Sequence, residues 1–207
     1  MVALKPQFFV MENVDRIIKS NAWVKAKKIL KSGGYGLTEN ILDASYCGCP
    51  QIRKRFFCIG ILNKPDNDIL FNVEKNISGK QMTVRDYFGK NIDTDFYYRH
   101  PRNYSRRAIY SIDESSPTIR GVNRPIPKGY PGHPGDPVNV SEKVRPLTTL
   151  ERSQIQTFPN DFIWVGSKTD IEQMIGNAVP VNLAKFVAYA IIEYYKDEVG
   201  KNERKLH

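Results

Sequence analysis

Long hydrophobic runs are missing from this 207-residue chain, and none approaches the ~20 consecutive apolar residues that a membrane-spanning helix needs. The first ten residues lack a basic segment followed by a long apolar one, so no secretory signal is expected. Cysteine is scarce. Cys47, Cys49 and Cys58 are an odd count, which argues against a disulfide framework and for reduced thiols in a cytoplasmic protein. Cys47 and Cys49 are too close for a zinc finger and no paired His or Cys follows, so no metal is expected. Acidic residues are short as well: 22 Asp and Glu stand against 31 Lys and Arg, leaving a formal charge of +9. That balance favours a polyanionic partner, nucleic acid ahead of an anionic membrane surface, although composition alone fits a basic soluble protein with no such partner equally well.

What is present begins with Phe8-Phe9-Val10-Met11, four apolar residues that run into Glu12 and Asn13. The run neither alternates nor follows helical spacing, as expected of a strand covered on both faces in a parallel sheet. In such sheets ligands lie beyond the carboxyl ends of the strands, where Glu12 and Asn13 fall. Asp15 to Lys31, with Ile17, Ile18, Val24, Ile29 and Leu30 among lysines, reads as an amphipathic helix ended by Gly33-Gly34. A strand and a loop are expected next, then a second apolar strand entered through Arg53, Lys54 and Arg55.

From Asn63 to about Ser141 helical periodicity fades. Between Arg99 and Lys128 lie seven Lys and Arg against two acids, with Tyr104 and Tyr110 interleaved. Arg99, Arg102, Arg106, Arg107, Arg120, Arg124 and Lys128 in a loop-rich setting suit contact with phosphates and bases. The plainer reading is an irregular solvated lobe. Helix returns in RPLTTLERSQIQTFPNDF, where Thr148 and Glu151 have the form of a capping box and Pro159 stops the element. A last helix follows Pro180, with Ala184, Val187, Ala188, Ile191 and Tyr195 as its expected buried stripe.

Singly, each stretch is weak. Glu12 could be an ordinary strand-end carboxylate. Gln51, Arg53 and Arg55 alternate, so on one strand they share a face, which is costly unless it meets a charged ligand or forms a salt-bridge network. GNAVP could be a tight turn before a helix, with Gly176 for the backbone and Asn177 as a cap.

Their order carries more. FVMENV, ILDASYCGCPQIRKRFFCIG, RPLTTLERSQIQTFPNDF and QMIGNAVPVNLAKFVAYAI together resemble the second half of the bacterial DNA cytosine-5 methyltransferase family, whose variable target-recognition segment separates the second and third blocks. The resemblance implies an α/β fold: the C-terminal part of a Rossmann-like methyltransferase sheet plus a small, irregular, mostly β target-recognition lobe. It also implies a division into residues 1–62 (last strands and helix of the catalytic domain), 63–165 (recognition lobe and supporting helix) and 166–207 (closing helix).

It further implies duplex DNA as partner, no membrane, and S-adenosylmethionine as cofactor. Glu12 matches the acid that serves nitrogen 3 of the flipped cytosine, a role that requires a desolvated site. Arg55 matches the arginine on the base's exocyclic oxygen, Asn13 the asparagine that braces the site, and Gln51 and Arg53 the supporting residues. Asn177 and the backbone near Ala178 match a partial cofactor contact. The family's glycine-rich cofactor turn and Pro-Cys nucleophile loop have no counterpart here. Cys49 precedes Pro50 instead of following a proline, so Cys49 is rejected as the nucleophile. Three readings stand: a subunit that needs a complementary chain, an inactive remnant, or a DNA-binding module.

Overall fold

The computed structural model describes residues 1–103 and 105–204, with side chains described as far as residue 200. Tyr104 therefore lies outside the described residues. Packing divides the chain into two compact units: Met1–Asp43, Arg53–Gly79 and Lys185–His207 form one, and Ala44–Ile52 with Lys80–Ala184 form the other. This partition follows contacts rather than sequence blocks, since Ala44–Ile52 packs with the later lobe.

The first unit is built on a three-stranded sheet in the order β1-β4-β2, with β1 at Phe8–Val14, β2 at Tyr35–Asp43 and β4 at Lys54–Leu62. Both β1 and β2 run antiparallel to β4, which corrects the parallel arrangement expected at β1. An apolar run reports two-sided burial but not strand direction, so the sequence could not decide this. Burial on both faces holds at the start of β1: Phe9 joins Trp23, Leu30, Tyr35, Leu37 and Phe56 in a core, while Phe8 meets the ring of Tyr194 edge-on at 6.1 Å. It fails further on, where Val10 is 43% exposed. Gly60 sits opposite Phe9, and a Cβ there would lie 1.9 Å from the Phe9 ring, so the glycine makes room for the aromatic.

The helix expected over Asp15 to Lys31 is broken. A 3-10 turn covers Asp15–Lys19, and Ser20 then caps α1 (Asn21–Ser32) by accepting a hydrogen bond from the Trp23 amide at 3.1 Å. The buried positions of α1 are Trp23 and Leu30, while Val24 and Ile29 are exposed. Gly33 caps it and Gly34 takes the left-handed φ of +90° that turns the chain into β2. A short helix α2 (Leu70–Glu74) also belongs to this unit.

In the second unit, β3 (Gln51–Ile52) pairs in parallel with β7 (Ser116–Pro117). β5 (Phe96–Tyr98) lies between β6 (Ile109–Ser111) and β8 (Arg145–Pro146). Helices α3 (Val84–Phe88), α4 (Thr149–Ile155) and α5 (Lys168–Asn177) pack with these strands around Tyr97, Ile112, Ile119, Ile155 and Ile175. The Thr148–Glu151 capping box forms as expected, and Thr83 with Asp86 on α3 and Ser167 with Asp170 on α5 make two more. Gly176 and Asn177 are the last residues of α5, so neither makes a turn or an N-cap ahead of the final helix.

That final helix, α6 (Val181–Arg204), buries Leu183, Val187, Ala190 and Tyr194. The stripe is displaced from the expected one; Ala184, Ala188 and Tyr195 are exposed. AKFVAYAIIEYY is apolar around most of the helix, so periodicity alone could not choose its buried side. By length and composition the Lys168–Gly200 stretch could also cross a membrane, a test that core helices of soluble proteins pass as well.

Candidate active site and nucleic-acid interface

The register of β1 on β4 sets Glu12 opposite Phe57 and Val14 opposite Arg55. Glu12 and Arg55 are thus diagonal neighbours on one sheet face, close enough for long side chains to meet. They do: Arg55 Nε lies 3.0 Å from Glu12 Oε1. Arg55 Nη1 donates to the Lys54 carbonyl at 2.9 Å, which leaves Nη2 without a partner among the described residues. The side chains keep 28% (Glu12) and 16% (Arg55) exposure, so residues 1–207 do not by themselves supply the desolvated setting expected around Glu12. Asn13 is engaged locally, its Oδ1 accepting from the Val14 amide at 2.8 Å.

Arg53 breaks the strand between β3 and β4. It is buried, and its amide donates to Asp43 Oδ1 at 3.2 Å. Burial is the main cause that pulls its guanidinium down to about 10, nearby Arg55 adds to this, and Glu12 opposes it. Arg53, Arg55 and Glu12 therefore form one electrostatic cluster in the first unit.

Gln51 does not share that face. The break at Arg53 sends it into the second unit, which corrects the single-strand reading of Gln51, Arg53 and Arg55. There it is fully buried. Its Oε1 accepts from the Ile119 amide at 2.8 Å, and its Nε2 donates to Gln156 Oε1 at 2.8 Å. Gln156 in turn donates from Nε2 to the carbonyls of Ile175 and, at 3.3 Å, Ala178. Two back-to-back amides thus join three separate sequence blocks. Nothing in the sequence singled out Gln156, the second of two glutamines on either side of Ile155.

Asn177 is exposed at the end of α5, and its side chain has no hydrogen-bond partner among the described residues, which suits a group that faces a ligand. Ala178 fits that role less well: its amide donates to the Met174 carbonyl at 3.0 Å and its own carbonyl takes the Gln156 bond. All three cysteines are buried, and burial pushes the Cys58 thiol up to about 12. None has the exposure that a nucleophilic thiolate needs.

Five of the seven basic residues read from the lobe, Arg99, Arg102, Arg106, Arg107 and Arg120, line one pocket of about 410 Å³ together with Tyr110. Arg124 and Lys128 are exposed outside it. Three of the five are held internally. Arg99 Nη2 donates to the Thr118 carbonyl at 2.7 Å, and Arg120 donates to the His100 carbonyl. Arg107 grips both carboxylate oxygens of Glu114 and stacks 4.3 Å from the Tyr110 ring centre. The partnership with Glu114 was not foreseen from sequence. A buried ion pair, Arg152 to Glu172 at 2.7 Å, lies beneath, with Arg152 also donating to the Arg120 and Val122 carbonyls.

Comparison with known proteins shows the family. The model of the C-5 cytosine-specific DNA methylase family matches residues 1–193. The chain is 59% identical over 197 residues to the Type II methyltransferase M.HindV of Haemophilus influenzae, covering 95% of this chain and 65% of that protein. It is 53% identical over 194 residues to M.HgiDI of Herpetosiphon aurantiacus, covering 94% and 62%. It therefore spans a little under two thirds of the length of these relatives. Among solved structures, the Dnmt2 methyltransferase of S. pombe superposes with a TM-score of 0.60 at 19% identity, over 92% of this chain and 68% of that one. The Entamoeba histolytica methyltransferase EhMeth gives 0.59 at 18%, over 94% and 64%. At such identities the likeness speaks for a shared Rossmann-like methyltransferase fold. The chain belongs to the C-5 cytosine-specific DNA methylase family.

Proposed function

We propose that residues 1–207 form the base-handling and target-recognition part of a DNA (cytosine-5-)-methyltransferase of a Type II restriction–modification system, acting on a cytosine flipped out of duplex DNA in the cytoplasm. The observation that carries this reading is the Glu12–Arg55 pair, which puts a carboxyl and a guanidinium with a spare N–H side by side at the ends of two strands. Carbon 5 of cytosine becomes nucleophilic only after a thiolate adds to carbon 6. Glu12 serves nitrogen 3 with a proton or hydrogen bond as that addition occurs, and Arg55 Nη2 holds the exocyclic oxygen. Entry of the base covers the exposed part of Glu12. Asn13 and Arg53 hold the strand ends around the pair.

S-adenosylmethionine, when bound, supplies the methyl group. Asn177 fits it, with the backbone at Ala178 contributing less, and these two residues make only a partial site. The 207 residues contain no Pro-Cys dipeptide. With every cysteine buried, the thiolate and most of the cofactor pocket belong to polypeptide other than residues 1–207, joined to them or in a complementary chain.

The test is transfer of labelled methyl from S-adenosylmethionine to duplex DNA by this chain combined with the N-terminal third of the Haemophilus influenzae relative. Glu12→Gln should lower turnover by about a hundredfold to ten-thousandfold, the usual worth of a general acid, with DNA affinity nearly unchanged. Full transfer by Glu12→Gln would remove the assigned acid. DNA binding without any transfer by the combined wild-type pair would favour a DNA-binding module or an inactive remnant instead.

A further inference from the structure

Seven basic residues face a common task in the sequence, but the structure divides them. Arg99, Arg107 and Arg120 hold the pocket together from within. Arg107 in particular has its fork closed by Glu114 and its face closed by Tyr110. Arg102 and Arg106 line the same pocket, are exposed, and have no hydrogen-bond or ion-pair partner for their guanidiniums among the described residues. The rest of the lining is Ile52, Pro101, Tyr110, Pro117 and Thr118.

We propose that Arg102 and Arg106 are the specificity-determining residues of the lobe, each reading a guanine edge in the major groove of the target duplex, while Arg124 and Lys128 outside the pocket contact phosphates. The proposal rests on the DNA-directed reading above and deepens it. Phosphates are hydrated point anions that need no apolar walls, and exposed Arg124 and Lys128 suit them. A base edge at the floor of the major groove is reached by a long side chain that projects from the protein, and exposed Arg102 and Arg106 suit it. An open guanidinium fork matches the paired acceptors O6 and N7 of guanine, a pairing no other base edge offers. The inner arginines brace the pocket that Arg102 and Arg106 line: Arg120 donates to the carbonyl of His100, two residues before Arg102, and Arg99 to that of Thr118, which lines the same pocket.

The experiment uses the full chain to select from duplexes randomised over a central stretch of base pairs. Wild-type protein should select at least two fixed guanines. Arg102→Ala should relax one of these positions and Arg106→Ala the other, each costing about 5- to 150-fold on the selected duplex and little on unrelated sequence. Replacing the matching guanine by 7-deazaguanine, which removes N7, should weaken the wild type but not the corresponding variant. Both residues are exposed, so neither change should alter the melting temperature, whereas Arg107→Ala should lower it. Equal weakening on all sequences, with a salt dependence shallower by about one counterion, would assign Arg102 and Arg106 to phosphates and overturn the proposal. Selection without fixed guanines would also overturn it while leaving the methyltransferase reading intact; absence of any DNA binding would sink both.

Discussion

Gly176 in α5 packs against the backbone of Gly121 so tightly that a Cβ on Gly176 would lie 2.1 Å from the Gly121 nitrogen and 2.4 Å from the Arg120 carbonyl carbon. The reverse holds as well, since a Cβ on Gly121 would meet Gln173 Oε1 at 2.3 Å and its Cα at 3.1 Å. The glycine of the GNAV block is therefore a packing residue here, next to the segment that presents Arg120. Gly176→Ala must move backbone rather than a flexible side-chain end. It should destabilise the chain by about 1–3 kcal/mol, as overpacking does, read as a lower denaturant midpoint. An unchanged midpoint would show that α5 can shift freely.

Glu151 links charge to stability in the second unit. Burial works to raise its carboxyl, but hydrogen bonds from Arg145 and from the Thr148 amide outweigh it and hold the group below the ordinary glutamate range. A depressed folded value means that the unfolded chain binds the proton more readily. The stabilisation is therefore present above the ordinary value of about 4.3 and is lost as pH falls through the folded one. Glu151→Gln should melt below the wild type at neutral pH, and the difference should shrink on acidification below about pH 4. A difference that stays constant with pH would mean the ion pair carries none of it.

The three thiols should resist modification while the chain is folded. Cys47, Cys49 and Cys58 are all buried, and the Cys58 thiol is pushed up to about 12. Ellman's reagent should react slowly with native protein and with three equivalents on denaturation. Cys49→Ser should retain most methyl transfer by the complemented pair. Rapid reaction of Cys49 in the native chain, or loss of transfer in Cys49→Ser, would restore it as a candidate nucleophile.

The β1 strand carries a prediction about association. Among the described residues it pairs with β4 alone, so its other edge is open, and Val10 beside that edge is 43% exposed. Open apolar edges recruit further strands. The chain at micromolar concentration should self-associate or bind a hydrophobic dye, and Val10→Lys should reduce both. A wild-type chain that stays monomeric in sedimentation and binds no dye would show that the edge is inert.

Local chemistry was readable because it is decided by neighbours in the chain. Thr148 and Glu151 cap α4 wherever the helix lies, Gly34 turns the chain away from α1 because it tolerates φ of +90°, and the ordered blocks around Glu12, Arg55 and Asn177 carried the family. Tertiary structure decided the rest. An apolar run cannot tell a parallel from an antiparallel neighbour, so β1 against β4 was open, as was the buried side of α6. Alternation put Gln51 beside Arg55, but the break at Arg53 separates them and hands Gln51 to Gln156, a residue 105 positions away that no local pattern marks. The basic lobe shows the same limit. Composition counts seven cations, and only the fold places Glu114 and two carbonyls on three of them, because pairing depends on which segments meet in space.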